Sequence, residues 1–127
     1  MQLSGQSILV MGMGRSGVSA AKYAVTQGAD VTVTDLRKDS PRVEGAKHTY
    51  GHHNRSEFIG ADLVIVSPGI PATSPDIVAA RNAGVSVVSE LSFAAEILQD
   101  RGIPILAVTG TNGKSSVSWF IGQILEA

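Results

Sequence analysis

Two glycine-bearing stretches of this 127-residue chain have the residue types and spacing to hold phosphate: Gly12-Met13-Gly14-Arg15-Ser16-Gly17 and Gly110-Thr111-Asn112-Gly113-Lys114-Ser115-Ser116. The second follows an apolar run, Ile103 to Thr109, and precedes a helical pattern from Ser115 to Leu125. Strand, glycine loop ending in Gly-Lys-Ser and helix is the layout of a nucleoside-triphosphate loop. Its backbone N–H groups cradle phosphate oxygens, Lys114 reaches the β/γ-phosphates, and the Ser115 hydroxyl can ligate Mg²⁺. The helix N-terminus adds the positive end of its dipole. The usual pattern has a glycine five residues before Gly113, where this chain has Val108, so the loop is a shortened variant. The alternative is an ordinary strand-to-helix turn with an incidental Gly-Lys.

The first stretch follows an apolar run, Ser7 to Met11, and opens a second helical pattern. Asp35 lies about 20 residues further on, at the end of the next strand, which is the spacing of a dinucleotide-binding fingerprint. Gly12 permits the turn, Gly14 lets the backbone approach a diphosphate, and Gly17 allows the helix to pack closely. Asp35 can accept hydrogen bonds from ribose hydroxyls or a base N–H. A tight turn beside an unliganded aspartate is the alternative, and the loop does not choose among nucleotides.

Other residues have plainer readings. His48, His52 and His53 lack the companion carboxylates or i, i+4 spacing of a metal site and are expected on a solvated loop. Arg37, Lys38 and Arg42 read as surface charges, with Arg37 beside Asp35 well placed to meet a base or phosphate. Glu90 and Glu96 read as exposed helix charges. No Ser/His/Asp arrangement has supporting context, and the absence of cysteine excludes a disulfide framework, a thiolate zinc site and a cysteine nucleophile.

The elements that position these loops alternate. Strands are expected at Ser7 to Met11, Asp30 to Asp35, Leu63 to Ser67 and Val85 to Val88, with a short edge strand at Ala46 to Tyr50. Helices are expected at about Ser16 to Gln27, Arg55 to Ile59 behind an Asn54 cap, Ser74-Pro75 to Gly84, and Leu91 to Gln99. This order predicts an α/β fold, a Rossmann-like open parallel sheet with helices on both faces and right-handed crossovers. The loops at Gly12 to Gly17, Asp35 to Arg37, Ser67 to Pro71 and Gly110 to Ser116 all follow strand C-termini and are expected along one rim. The length and 43% hydrophobic content suit a packed core, and a formal net charge of −1 gives no global reason to expect nucleic acid. The N-terminal segment has neither a basic n-region nor an h-region, and no apolar run is long enough for a membrane span, so a soluble, cytoplasmic protein is expected.

Two phosphate loops in one chain narrow the chemistry. A dehydrogenase needs the first and not the second. A phosphate-loop kinase needs the second and not the first. A ligase that uses ATP to activate a nucleotide-linked substrate needs both.

Four stretches then resemble the Mur ligases of peptidoglycan synthesis: Val10 to Gly17, Thr34-Asp35-Leu36-Arg37, Ser67-Pro68-Gly69-Ile70-Pro71 and Val108 to Ser116. The shortened loop is that family's usual form, and Ser116 replaces its commoner threonine. The first loop lacks the paired glycines of the L-alanine-adding branch, and a Rossmann-like domain precedes the ATP loop, unlike in folylpolyglutamate synthases. Both differences favour the D-glutamate-adding branch. The resemblance implies a UDP-substrate domain over residues 1–101 and the start of a central ATP-binding domain over 102–127. It implies that Gly12, Gly14, Arg15, Ser16 and Gly17 face the diphosphate of UDP-N-acetylmuramoyl-L-alanine. Asp35, Leu36 and Arg37 would hold the uracil end, and Ser67 would contact the substrate. Gly110, Thr111, Asn112, Gly113, Lys114, Ser115 and Ser116 would bind ATP, with Lys114 catalytic on the phosphates and Ser115 on Mg²⁺. The implied reaction joins D-glutamate through an acyl phosphate. The 127-residue chain alone is expected to bind the UDP substrate without ligating it. The competing expectations are the NAD(P)-binding domain of an oxidoreductase and a non-catalytic binding module on the same fold.

Overall fold

The structure is a computed structural model that describes residues 2–104. The Gly110 to Ser116 loop, the helix expected after it and the second domain from Ile105 onward lie outside the described residues.

Five strands, β1 (Ser7–Met11), β2 (Asp30–Asp35), β3 (Lys47–Tyr50), β4 (Leu63–Val66) and β5 (Ser86–Ser89), form one parallel sheet in the order β3-β2-β1-β4-β5. The helices are α1 (Arg15–Thr26), α2 (Arg55–Ile59), α3 (Pro75–Asn82) and α4 (Glu90–Asp100). The chain builds outward from β1 to β3, returns to place β4 on the other side of β1, and builds outward again to β5. Ile8 is thus paired with Val31 on one side and Leu63 on the other. The order reverses between β1 and β4, and the loops after these two strands part there, which makes the crevice in which open α/β sheets bind ligands.

The central strands β1 and β4 are buried on both faces, so they read as apolar runs. Strand alternation divides the side chains of the sheet between two cores. Ile8, Val10, Val31, Val33 and Ile65 pack with Ala20, Ala24, Phe93 and Ile97 of α1 and α4. Leu9, Met11, Val64 and Val66 pack on the opposite face with Phe58, Ile77 and Ala80 of α2 and α3. Alanines at 20, 21 and 24 let α1 lie close to the sheet.

Local signals mark where the helices begin. The Asn54 carboxamide oxygen accepts from the Ser56 N–H at 3.2 Å, capping α2. Pro75 opens α3, but Ser74 at the cap position makes no side-chain capping bond. No loop separates β5 from α4: Ser89 ends the strand and its hydroxyl accepts from the Ser92 N–H at 3.1 Å. The helix therefore starts at Glu90 rather than Leu91, and that one-residue difference decides the environment of a carboxylate.

Candidate functional site

The C-terminal ends of β1, β2 and β4 open on a cleft of about 510 Å³. Its lining includes Gly12 and Gly14 after β1, Asp35, Leu36 and Arg37 at the end of β2, and Ser67, Gly69 and Ile70 after β4. Three of the loops singled out from sequence therefore meet at one place.

The glycine turn is fixed by close contacts. Gly12 has φ +95°, its N–H donates to the Thr34 carbonyl at 2.9 Å, and a Cβ there would lie 2.7 Å from Ser67 Cβ. A Cβ on Gly17 would lie 2.0 Å from the Gly12 carbonyl oxygen, so α1 can approach the turn only because residue 17 has no side chain. Gly14 differs: a Cβ there would meet nothing within 4 Å. It occupies the cap position of α1, supplies no capping side chain, and no acidic residue follows in the first turn. The N–H groups of Arg15, Ser16 and Gly17 have no intrahelical acceptors by helix geometry.

Asp35 clasps two of the loops. It is 8% exposed. Its Oδ2 accepts from the Met13 N–H at 2.7 Å and from Arg37 Nη2 at 3.2 Å, and its Oδ1 accepts from the Arg37 N–H at 2.9 Å. Arg37 Nη2 also donates to the Met13 carbonyl at 3.1 Å. Burial alone would push the Asp35 carboxyl up. The hydrogen bonds from the Arg37 side chain, the Arg37 N–H and the Met13 N–H, with the Arg37 charge, outweigh it and bring the pKa to about 2. The Arg37 guanidinium is correspondingly held above its ordinary range by its hydrogen bonds and charge contact with Asp35. Its side chain remains 59% exposed, and Leu36 beside it is 65% exposed on the cleft. Asp35 is thus the brace of the site, its acceptor positions already used by Met13 and Arg37.

Two expectations are corrected here. Glu90 is completely buried, not an exposed helix charge. The start of α4 lies against α1, and the Ser16 hydroxyl donates to Glu90 Oε2 while Oε1 has no partner. Burial pushes its pKa up to about 7, against the lowering effect of Ser16. The histidines do not share a solvated loop. His48 lies in β3, half-buried, and its Nε2 accepts from the Val43 N–H at 2.8 Å. Burial, with Arg42 nearby, lowers its pKa. His53 lines the cleft, with Nδ1 2.7 Å from Thr34 Oγ1 and its ring edge-on to Phe58 at 5.8 Å. His52 is exposed. Among the described residues no group of three or more His, Cys, Asp or Glu could hold a metal ion.

The structure therefore gathers Gly12, Gly14, Asp35, Leu36, Arg37 and Ser67 on the cleft. It leaves Arg15 exposed beside it, turns Ser16 toward Glu90, and places Gly17 beneath the turn. Sequence reasoning missed His53 and Asp76 as lining residues. Asp76 is paired with Arg55 at 3.0 Å. The only sequence signal for His53 was its position directly before the α2 cap, on the rim where strands end.

Residues 6–89 match the family model described as Mur ligase MurD-like, N-terminal domain. The chain is 41% identical to the UDP-N-acetylmuramoylalanine--D-glutamate ligase of Geobacter metallireducens, an alignment covering 100% of the chain and 29% of that protein. It is 40% identical to the enzyme of the same name from Desulfatibacillum aliphaticivorans, again over 100% of the chain and 29% of that protein. The fold superposes on a pseudomurein peptide ligase type C from Methanothermus fervidus with TM-score 0.62 and 24% identity, covering 72% of the chain and 20% of that structure. That likeness speaks for the fold. The chain spans 29% of the length of the two ligases.

Proposed function

The chain belongs to the Mur ligase family through a MurD-like N-terminal domain, and from that premise we propose that its cleft binds the UDP end of UDP-N-acetylmuramoyl-L-alanine. The observation that carries this reading is the uncapped N-terminus of α1 beside a cleft lined by Gly12, Gly14, Asp35, Leu36, Arg37 and Ser67. Unpaired N–H groups and the positive end of the helix suit a diphosphate. Leu36 offers an apolar surface to a base, Arg37 offers a cation and donors, and Ser67 a hydroxyl near the Gly12 turn. Gly14, with open space over its backbone, leaves room for the phosphates, and Arg15, Ser16 and Gly17 supply the N–H groups.

An NAD(P)-binding site on the same fold would need an acid at the end of β2 to receive ribose hydroxyls. Asp35 has its oxygens engaged by Met13 and Arg37, and what favours the UDP reading over the oxidoreductase one is the family match.

For the longer protein the proposed reaction is that of an ATP-dependent ligase, in the cytoplasm. The substrate carboxylate takes the γ-phosphoryl group of ATP, releasing ADP. The D-glutamate amine then attacks the acyl phosphate, forming the amide and releasing phosphate. Gly110 to Ser116 is the proposed ATP loop and residues 102–127 the start of its domain, with Lys114 on the phosphates and Ser115 toward Mg²⁺. Bound there, the metal would offset charge on the transferred group. The 127-residue chain by itself is expected to bind the UDP substrate without forming product.

Titration calorimetry of the chain with UDP-N-acetylmuramoyl-L-alanine and with NADH tests the reading. Saturable heat with the first and none with the second is expected. Binding of NADH with no heat from the UDP substrate would replace it with the oxidoreductase reading.

A further inference from the structure

The Gly12 to Gly17 turn has a second layer. Ser16, at the second position of α1, is half-buried and follows Gly14 of the cleft lining by two residues. Its hydroxyl donates to Oε2 of Glu90, which is 0% exposed, and Glu90 Oε1 is buried without a partner. That oxygen lies 3.3 Å from where a Cβ of Gly17 would stand, directly behind the first turn of α1. A fully buried carboxyl group therefore sits behind the first turn of α1, the turn that follows Gly14 at the cleft.

We infer that Glu90 is a positioning residue for the bound diphosphate, and that it must carry a proton for Ser16 to turn its own hydroxyl proton toward the ligand. This rests on the diphosphate reading of the turn. With Glu90 ionised, the carboxylate is an acceptor only and claims the one proton of the Ser16 hydroxyl. The serine then has only lone pairs to offer an anionic ligand, and the buried negative charge opposes the anion through a poorly screened medium. With Glu90 protonated, its O–H donates to Ser16 Oγ, and the Ser16 O–H is released to donate to a phosphate oxygen. The change consumes one proton, which stays on Glu90 while the diphosphate is bound. Diphosphate binding and proton uptake are thereby linked, and affinity falls as pH rises through the Glu90 pKa of the free protein.

Among the described residues no other group takes over this role. β4 and β5, which pack on α4, carry no titratable side chain. α1 brings Arg15 and Lys22, both exposed, and Tyr23, which packs on Phe93. α4 itself adds Glu96 and Asp100, both exposed. The influences on Glu90 are its burial and Ser16.

The test is calorimetry of the 127-residue chain with UDP-N-acetylmuramoyl-L-alanine, whose diphosphate is a diester and keeps its charge from about pH 6 to about pH 8.5. Each titration is run in buffers of different ionisation enthalpy, so that proton uptake is read directly. Wild type is expected to lose roughly tenfold in affinity between about pH 6 and about pH 8, and to take up close to one proton per ligand at the higher pH. Glu90→Gln stays neutral and can donate its amide N–H to Ser16. It should bind with an affinity that varies less than about twofold over the range, and take up close to one proton fewer. Subtracting its profile removes any part not owed to Glu90. Ser16→Ala, a small change at a half-buried site, should lose about tenfold in affinity at about pH 6 and show a shallower profile. It serves as the second arm if Glu90→Gln does not fold. Superimposable pH profiles and proton counts for wild type and Glu90→Gln, or a Ser16→Ala profile equal to wild type, overturn the assignment while leaving UDP binding in place. Absence of heat at every pH overturns the diphosphate reading and this inference together.

Discussion

Two buried carboxyl groups packed beside the glycine turn have their pKa values shifted in opposite directions, and the difference follows from their donors. Asp35 meets two backbone N–H groups and a guanidinium, and stays ionised with a pKa of about 2. Glu90 meets one hydroxyl, and its pKa rises to about 7. The consequences for stability have opposite signs. Asp35 contributes above its unfolded value of 3.8, and that contribution is lost as pH falls from there through about 2. Asp35→Asn is expected to cost about 1–2 kcal/mol at neutral pH and next to nothing below about pH 2. Glu90 behaves the other way. Stability is fully present below its unfolded value of 4.5 and is lost as pH rises through about 7. Glu90→Gln should therefore be more stable than wild type by roughly 2–3 kcal/mol at about pH 8, with the gap closing toward pH 4.5. Urea unfolding of the two proteins across this range checks it, and a gap independent of pH would contradict the buried-acid description. Glu90 was not legible as buried from sequence. A glutamate opening a helix is ordinarily solvated at the positive end of the dipole, and only the contact of α4 with α1 encloses this one. Asp35 was legible as a site residue from its spacing, but its role as a brace depends on Arg37 folding back, which spacing does not encode.

At the scale of elements, the turn between β1 and α1 is shaped by what it excludes. The 2.0 Å between a Gly17 Cβ and the Gly12 carbonyl oxygen leaves no room for even a methyl group. Gly17→Ala is expected to push α1 off the turn, cost about 1–3 kcal/mol and abolish measurable UDP-substrate binding. Gly14→Ala meets nothing within 4 Å in the free protein and should be far milder for stability while still weakening the ligand. Chemical denaturation and calorimetry on both variants separate these effects; equal destabilisation would contradict the geometry. The strands β1 and β2 were legible to their end residues, because an apolar run between glycines, and valines alternating with threonines, leave little choice of boundary. The short edge elements were less so. β3 begins at Lys47 rather than Ala46, and β5 runs Ser86–Ser89 rather than Val85 to Val88. A half-buried edge strand has no strong hydrophobic period to mark its ends.

For the whole described molecule, the sheet acts as a partition. Phe93 lies in the core shared with α1 and Phe58 in the core shared with α2 and α3, both 0% exposed. Phe58→Ala and Phe93→Ala are each expected to cost about 3–5 kcal/mol. Because they share no partner, their effects should add within about 0.5 kcal/mol. Milder Phe→Leu changes provide the same cycle if the double variant does not fold. Strong coupling between the positions would show that the two cores communicate through the sheet. Both cores were readable as apolar positions on alternating elements, whereas the assignment of each helix to a face required the crossovers themselves.

The strand order also sets a timetable for synthesis. β1 can pair with β2 once Met11 has met Thr34, but its other edge waits for β4, since Ile8 is matched with Leu63 and Met11 with Val66. While the intervening residues are made, a row of apolar residues, Ile8 to Met11, stands as an open parallel edge on a half-built sheet. Unpaired edges of this kind recruit other strands. The strand that carries the glycine turn is therefore committed to its place early and enclosed late. The interval before β4 emerges is when the growing chain is most exposed to pairing with the wrong neighbour.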